Sequence, residues 1–153
     1  MRDETRESIT AAINQYDLHE TAHVTLWPLE DLFLIRYLDM SGMGSLGTIL
    51  TPPNGWPVTA QNRARVLIDQ DMGPDDARVI IAHEMGHGFC EHVGSASSYA
   101  LGLHDRHERE AWEAAALLLI PERVIYEEQD VARIAAACGV PHWLVGLWPS
   151  TSG

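Results

Sequence analysis

His83-Glu84-Met85-Gly86-His87 constrains this chain more than any other stretch of it. Residues four apart on a helix lie one above the other. Two imidazoles at that spacing can hold one Zn²⁺ between them, and Glu84, beside the first, can reach a water on that ion. Only three positions of the pattern are fixed, so the flanking residues have to carry the case.

Upstream, the flank is a helix start. Gly73-Pro74-Asp75-Asp76 gives a turn, a fixed φ at the first helical position and carboxylates beside the positive end of the helix dipole. Ala77, Ile80, Ile81, Ala82, Met85 and Phe89 then keep helical apolar spacing through the motif. Gly86 costs a helix about 1 kcal/mol relative to Ala, but a residue that small between two ligands lets another segment come close. This is the working arrangement of the HExxH metallopeptidases. The bland alternative is two solvated histidines on a helix that also carries Glu84 and Glu91.

A catalytic zinc site needs a third protein ligand and an open position. The extended pattern with a third His six residues after the second fails, because that position is Val93 and His92 falls one short. The stretch from Arg106 to Ile120 forms helix strongly and stops hard at Pro121. Glu108 shares a stripe with Ala111, Ala115 and Leu118 and should point inward. Glu110 aligns with Glu113 and Leu117 on a face expected to be more easily solvated. Glu108 is the favoured third ligand; Glu110 is the runner-up, and His104 and His107 are more distant options.

From HEMGH through Glu108-Arg109-Glu110-Ala111 to the Ala/Leu-rich run ending Leu118-Leu119-Ile120-Pro121, the chain resembles the ImmA/IrrE family of zinc metallopeptidases. That family reads HE-apolar-GH, then E-x-x-A-N, then a small-residue helix ending L-L-M-P. The resemblance makes His83 and His87 the histidine ligands, Glu84 the general base and Glu108 the glutamate ligand. Val131 to Val145 is similar to the family's closing helix-turn-helix, so the likeness runs from about Arg63 to Leu147. The chain departs from the pattern at Trp112, where the family usually has Asn, and at Ala114, where an aromatic is common. Loss of the Asn puts in doubt any support it gives the glutamate or the substrate. A thermolysin-like pattern would need Asp at that same position, so thermolysin is not the match.

At 153 residues and 46% apolar, one soluble domain with a real core is expected; the resemblance implies an α+β, zincin-like fold with a small twisted sheet, the HExxH helix and C-terminal helices. Its parts would be an N-terminal helix and sheet over 1–62, a catalytic core over 63–121 and C-terminal helices over 122–153. No apolar run approaches the roughly 20 residues of a membrane span, and the charged start Met1 to Glu7 lacks a signal-like apolar region after it. Cys90 and Cys138 form no metal or redox spacing, which fits a reduced cytoplasm, and Cys90 reads mainly as packing. A net charge of −12 argues against binding nucleic acid through phosphate contacts and would favour a basic partner.

Residues Glu4 to Tyr16 predict an amphipathic helix with Ile9, Ala12, Ile13 and Tyr16 inward. Strands are expected at His23–Trp27, at Leu32–Leu38 (buried enough to lose its alternation), at Thr48–Thr51 and at Arg63–Asp69. The glycine-rich stretch Ser41 to Gly47 lacks the ending of a phosphate loop and reads as a turn or a piece of cleft wall. Pro52 to Pro57 reads as a rigid turn. By resemblance, Arg63–Asp69 is the candidate edge strand for an extended substrate. Tyr99 and His104 are weak candidates for donors to an oxyanion. His19, His23, His92, His107 and His142 read as surface residues or as supports for a ligand.

The expected activity is zinc-dependent hydrolysis of peptide bonds, with Glu84 taking the water's proton and passing it to the leaving amine. The substrate class implied by the resemblance is a cytoplasmic regulator, typically a DNA-binding repressor of a mobile element or stress response. A module that keeps zinc but acts only by binding a regulator is the alternative. Trp112 favours that alternative and Glu84 opposes it, since a binding module has no need of a general base.

Overall fold

The computed structural model describes residues 1–92 and 103–149, with the side chains of 103 and 104 left aside. Helix α1 (Asp3–Gln15) buries Ile9, Ala12 and Ile13 on one stripe. Strands β1 (Phe33–Leu38), β2 (Gly47–Leu50) and β3 (Ala64–Asp69) make one sheet in the order β1-β3-β2. The motif helix α2 (Pro74–Phe89) follows, then α3 (Leu103–Leu119), α4 (Glu122–Glu128), α5 (Val131–Cys138) and α6 (His142–Val145). This is an α+β, zincin-like layout. Among the described residues no helix is long and apolar enough to cross a membrane.

β3 runs parallel to β1 and antiparallel to β2. It alternates Ala64, Val66 and Ile68 into the core with Arg65, Leu67 and Asp69 on the more open face. The expected edge strand is therefore the central one, saturated with backbone hydrogen bonds on both sides. β2 is the edge strand beside α2. β1 is not buried on both faces either: Phe33 is buried, whereas Arg36, Tyr37 and Leu38 are exposed. His23–Trp27 pairs with no strand among the described residues. Its alternation is real, with Val24 and Leu26 buried and Thr25 and Trp27 exposed, but it records how one extended segment lies on the core rather than a ladder. Trp27-Pro28 then enters a 3₁₀ turn.

α2 begins where the turn chemistry places it, with Gly73 capping and Pro74 leading. Its half-buried Arg78 donates to the carbonyls of Val24 (3.0 Å), Cys138 (2.6 Å) and Gly139 (2.7 Å), tying the N-terminal loop and the end of α5 to the motif helix. α5 is capped by Asp130, which accepts from the backbone of Ala132 and Arg133.

Gly86 decides how α2 meets α3. A Cβ built there would land on the carbonyl oxygen of Ala111, with the Ala111 carbonyl carbon at 3.1 Å. The glycine lets the backbone of α3 approach between the two motif histidines, three residues along from Glu108. Gly86→Ala gains about 1 kcal/mol in helix propensity, but the overlap with backbone has no flexible end to yield and overpacking typically costs about 1–3 kcal/mol. The variant is expected to unfold at lower urea concentration than wild type. A midpoint equal to or above wild type would contradict the close crossing.

Candidate metal centre

One turn of α2 sets His83 and His87 edge to face, with ring centroids 4.7 Å apart. α3 crosses so that the Glu108 carboxylate spans both, its oxygens 3.0 Å from His83 Nε2 and 2.8 Å from His87 Nε2. Each contact is an N–H donating to a carboxylate oxygen. Burial by itself would push the His83 proton off, but the hydrogen bonds to Glu108 and Glu84, with the charges of both carboxylates, outweigh it and raise the pKa to about 9. The same histidine hydrogen bonds hold Glu108 far below the usual carboxylate range.

This donor set fits Zn²⁺. Two imidazole nitrogens and a carboxylate converge from two helices, and in a tetrahedral site such donors stand about 3.3 Å apart. Opening the observed 2.8 and 3.0 Å contacts by a few tenths of an ångström exchanges bridging protons for an ion. Glu108 keeps 34% of its side chain exposed while His83 keeps 10%, so the carboxylate faces the cleft and the ring sits behind it.

Glu84 is buried, at 7% exposure. Its Oε1 lies 3.3 Å from His83 Nδ1, so in this structure it orients that ring through the nitrogen that Glu108 does not use. The ligand-capable atoms of His83, Glu84 and His87 all fall within 4.8 Å of one another, a span that one water can bridge. Gly47 of β2 makes room here: a Cβ on it would meet Ile80 Cγ2 at 2.8 Å and lie 3.5 Å from Glu84 Cγ. The edge strand thus runs directly over the carboxylate.

Three supporting residues carry no motif signal. Trp112 stacks on His83 at 4.0 Å and meets Trp143 edge-on at 4.8 Å. Its indole lies nearly parallel to the His83 ring and fixes that ring by its face. The two tryptophans also wall a groove of about 750 Å³ that runs past Leu46 and Ile80 to Val140, with Asp75 and Asp76 at its rim. The third is His92, whose Nδ1 sits 2.9 Å from His87 Nδ1 and whose ring stacks on His107 at 4.0 Å. Burial, then the neighbouring His107 and His87, push the His92 pKa down to about 3, so it stays neutral and free to accept a hydrogen bond.

Glu110 differs from expectation. Its side chain is 17% exposed, less than that of Glu108, because the end of α2 folds back across this face and sets Cys90 and His92 against it. It faces away from the His83–His87 pair. His107 is likewise on the His92 side. Tyr99 lies outside the described residues, as does the side chain of His104.

With that geometry in place, the comparison with known families is specific. The family model of the IrrE N-terminal-like domain (Peptidase_M78) matches residues 33–141. The chain belongs to this family. No curated protein matches it. The match starts at the first residue of β1, upstream of the motif region, and so takes in the whole sheet as well as α2, α3, α4 and α5. A metallopeptidase-like module with a candidate metal centre on α2 is what family and fold establish together.

Proposed function

We propose that this IrrE-like domain is a zinc-dependent endopeptidase acting in the cytoplasm on a regulatory protein. The observation that carries the reading is the Glu108 carboxylate bridging His83 Nε2 at 3.0 Å and His87 Nε2 at 2.8 Å, with the Glu84 carboxylate buried beside them. His83, His87 and Glu108 would hold a Zn²⁺, which when bound would supply a Lewis acid able to polarise the scissile carbonyl and acidify a water.

The chain's own groups do the rest. Glu84 takes the proton of the attacking water on a carboxylate oxygen. As the C–N bond breaks, it returns that proton to the amine nitrogen. His92 accepts from His87 Nδ1–H and so fixes Nε2 as the nitrogen that faces the ion. The free edge of β2, above Glu84, adds the substrate as a further strand, and the Trp112–Trp143 groove takes an apolar side chain next to the cleaved bond. Free thiols at Cys90 and Cys138 suit a reducing compartment. The regulator, a DNA-binding repressor in the simplest case, follows from the family. The net charge of −12 favours a basic segment of it.

The ligand assignment is tested by comparing two neighbouring glutamates. Glu108→Ala should release zinc at chelator concentrations that leave Glu110→Ala loaded with one ion, because only Glu108 reaches both histidines. Equal release, or greater release from Glu110→Ala, would reverse the assignment. The activity is tested by incubating the zinc-loaded protein with a candidate DNA-binding repressor and identifying new termini by mass spectrometry; no new terminus in any regulator tried would count against the peptidase.

A further inference from the structure

Beyond the first centre, a second group of donors gathers at the end of α2. Cys90, His92 and Glu110 each bring one ligand-capable atom within 4.8 Å of the others. Cys90 is 5% exposed, and the His92 and Glu110 side chains are 8% and 17% exposed. They line a cavity of about 620 Å³ on the α3 face opposite the tryptophan groove, with His107 and Arg109 at its margin. Among the described residues the ion-pair partner of Glu110 is His92, whose Nε2 stands 4.0 Å from Glu110 Oε1, beyond hydrogen-bond reach. A largely buried carboxylate, imidazole and thiol facing one another at that spacing leave room for a cation among them. Thiolate, imidazole and carboxylate together are a donor set that Zn²⁺ and its borderline neighbours take readily.

The second group touches the first through one hydrogen bond. His92 Nδ1 and His87 Nδ1 are 2.9 Å apart, so one carries hydrogen and the other accepts it. When His87 turns Nε2 to the first ion, its Nδ1 carries the hydrogen and His92 accepts. The hydrogen of His92 is then on Nε2, toward Glu110. A cation on His92 Nε2 takes that position and sends the hydrogen to Nδ1, where it opposes the hydrogen of His87. The bond between the rings is lost, and His87 loses the partner that fixes its orientation.

We propose that Cys90, His92 and Glu110 form a second site for a borderline divalent cation such as Zn²⁺, and that filling it weakens the first site through the His87–His92 contact. The antagonism rests on reading the first site as an ion centre; the second site does not. Loss of an outer hydrogen-bond partner costs about 10–100-fold in metal affinity, and the coupling is reciprocal.

The test uses the full chain, stripped of metal and titrated with Zn²⁺ alone, then loaded with one Zn²⁺ and titrated with Co²⁺. Wild type should take a tight first equivalent and a weaker second. The thiolate-to-cobalt charge-transfer band should rise only with the second. Glu110→Gln and Cys90→Ser should each lose the second step and its band while keeping the first; Glu110→Gln, nearer the rim, guards against a buried Cys90→Ser that fails to fold. His83→Ala should do the reverse, losing the first step and keeping the second, so that failure of one site does not masquerade as failure of the other. Wild type should also release its first ion about 10-fold or more readily once the second is bound, and Glu110→Gln should not. Saturation at one equivalent with no thiolate band overturns the site, as does a second step that survives in both variants. Independent filling of the two sites overturns the antagonism.

Discussion

Glu84→Gln is expected to stop peptide hydrolysis while leaving the protein folded and its ion bound. In this structure the Glu84 carboxylate receives His83 Nδ1–H at 3.3 Å from a position only 7% exposed. A glutamine of the same shape still offers a carbonyl oxygen to that N–H, so the ring keeps its orientation and Nε2 keeps its aim. What the amide lacks is any capacity to take a proton from water. A positioned general base contributes about 10²–10⁴-fold in rate, and the loss should fall in kcat rather than in substrate affinity, because the β2 edge and the tryptophan groove are untouched. Cleavage of the repressor by wild type and by Glu84→Gln, measured side by side with zinc content, checks this. Undiminished biological output from Glu84→Gln, with no cleavage product from either protein, would replace the peptidase with a module that works by binding alone.

The sequence exposes those parts of this architecture that depend on neighbours along the chain. α1, α2 and α3 follow from 3.6-residue periodicity and from Pro74 and Pro121 as punctuation, and their bounds fall within a residue or two of the pattern except at the start of α3. Glu108 is readable because its stripe with Ala111, Ala115 and Leu118 is a local property of one helix, and those three residues are fully buried. Strand order is not local. Nothing in Ala64–Asp69 says that it pairs on both sides, because that depends on where β2 returns after the glycine-rich turn. The alternation at His23–Trp27 shows the converse: a period of two reports which side chains are covered and is silent on whether a hydrogen-bonded partner exists.

The same distinction separates the two glutamates. Helical spacing puts Glu110 on a polar face, and a polar face is ordinarily solvated. Here the chain leaves α2 at Cys90 and lays His92 across it, a tertiary event that no helical projection contains. Trp112 is similar. Its departure from the family's Asn is visible in the sequence, but the stack on His83 and the contact with Trp143 require α3 and α6 to be placed against α2.

Replacing both motif histidines, His83→Ala with His87→Ala, should abolish tight zinc binding at this centre. Each ring supplies one nitrogen to the point that Glu108 also reaches, and the double variant leaves one carboxylate there, 34% exposed and free to be satisfied by water. The loss should far exceed the about 10–100-fold that follows from removing an outer supporting group. It should also appear as lost stabilisation, because an ion that binds only the folded state raises stability by about 2.7 kcal/mol at 100 times its Kd. For a chain of this size that corresponds to a rise of roughly 5–10 °C in Tm. Wild type should show that rise when one equivalent of Zn²⁺ is returned to the stripped protein, and the double variant should show at most the smaller rise of a weaker ion at Cys90, His92 and Glu110. The stripped proteins, compared by circular dichroism, separate loss of the ion from loss of the fold: of the nine buried residues of α2 the double variant replaces only His83, and the packing through Ala77, Ile81, Ala82 and Met85 is untouched by either substitution. A double variant that folds and retains its first tight equivalent of zinc would remove the metal centre from α2 altogether.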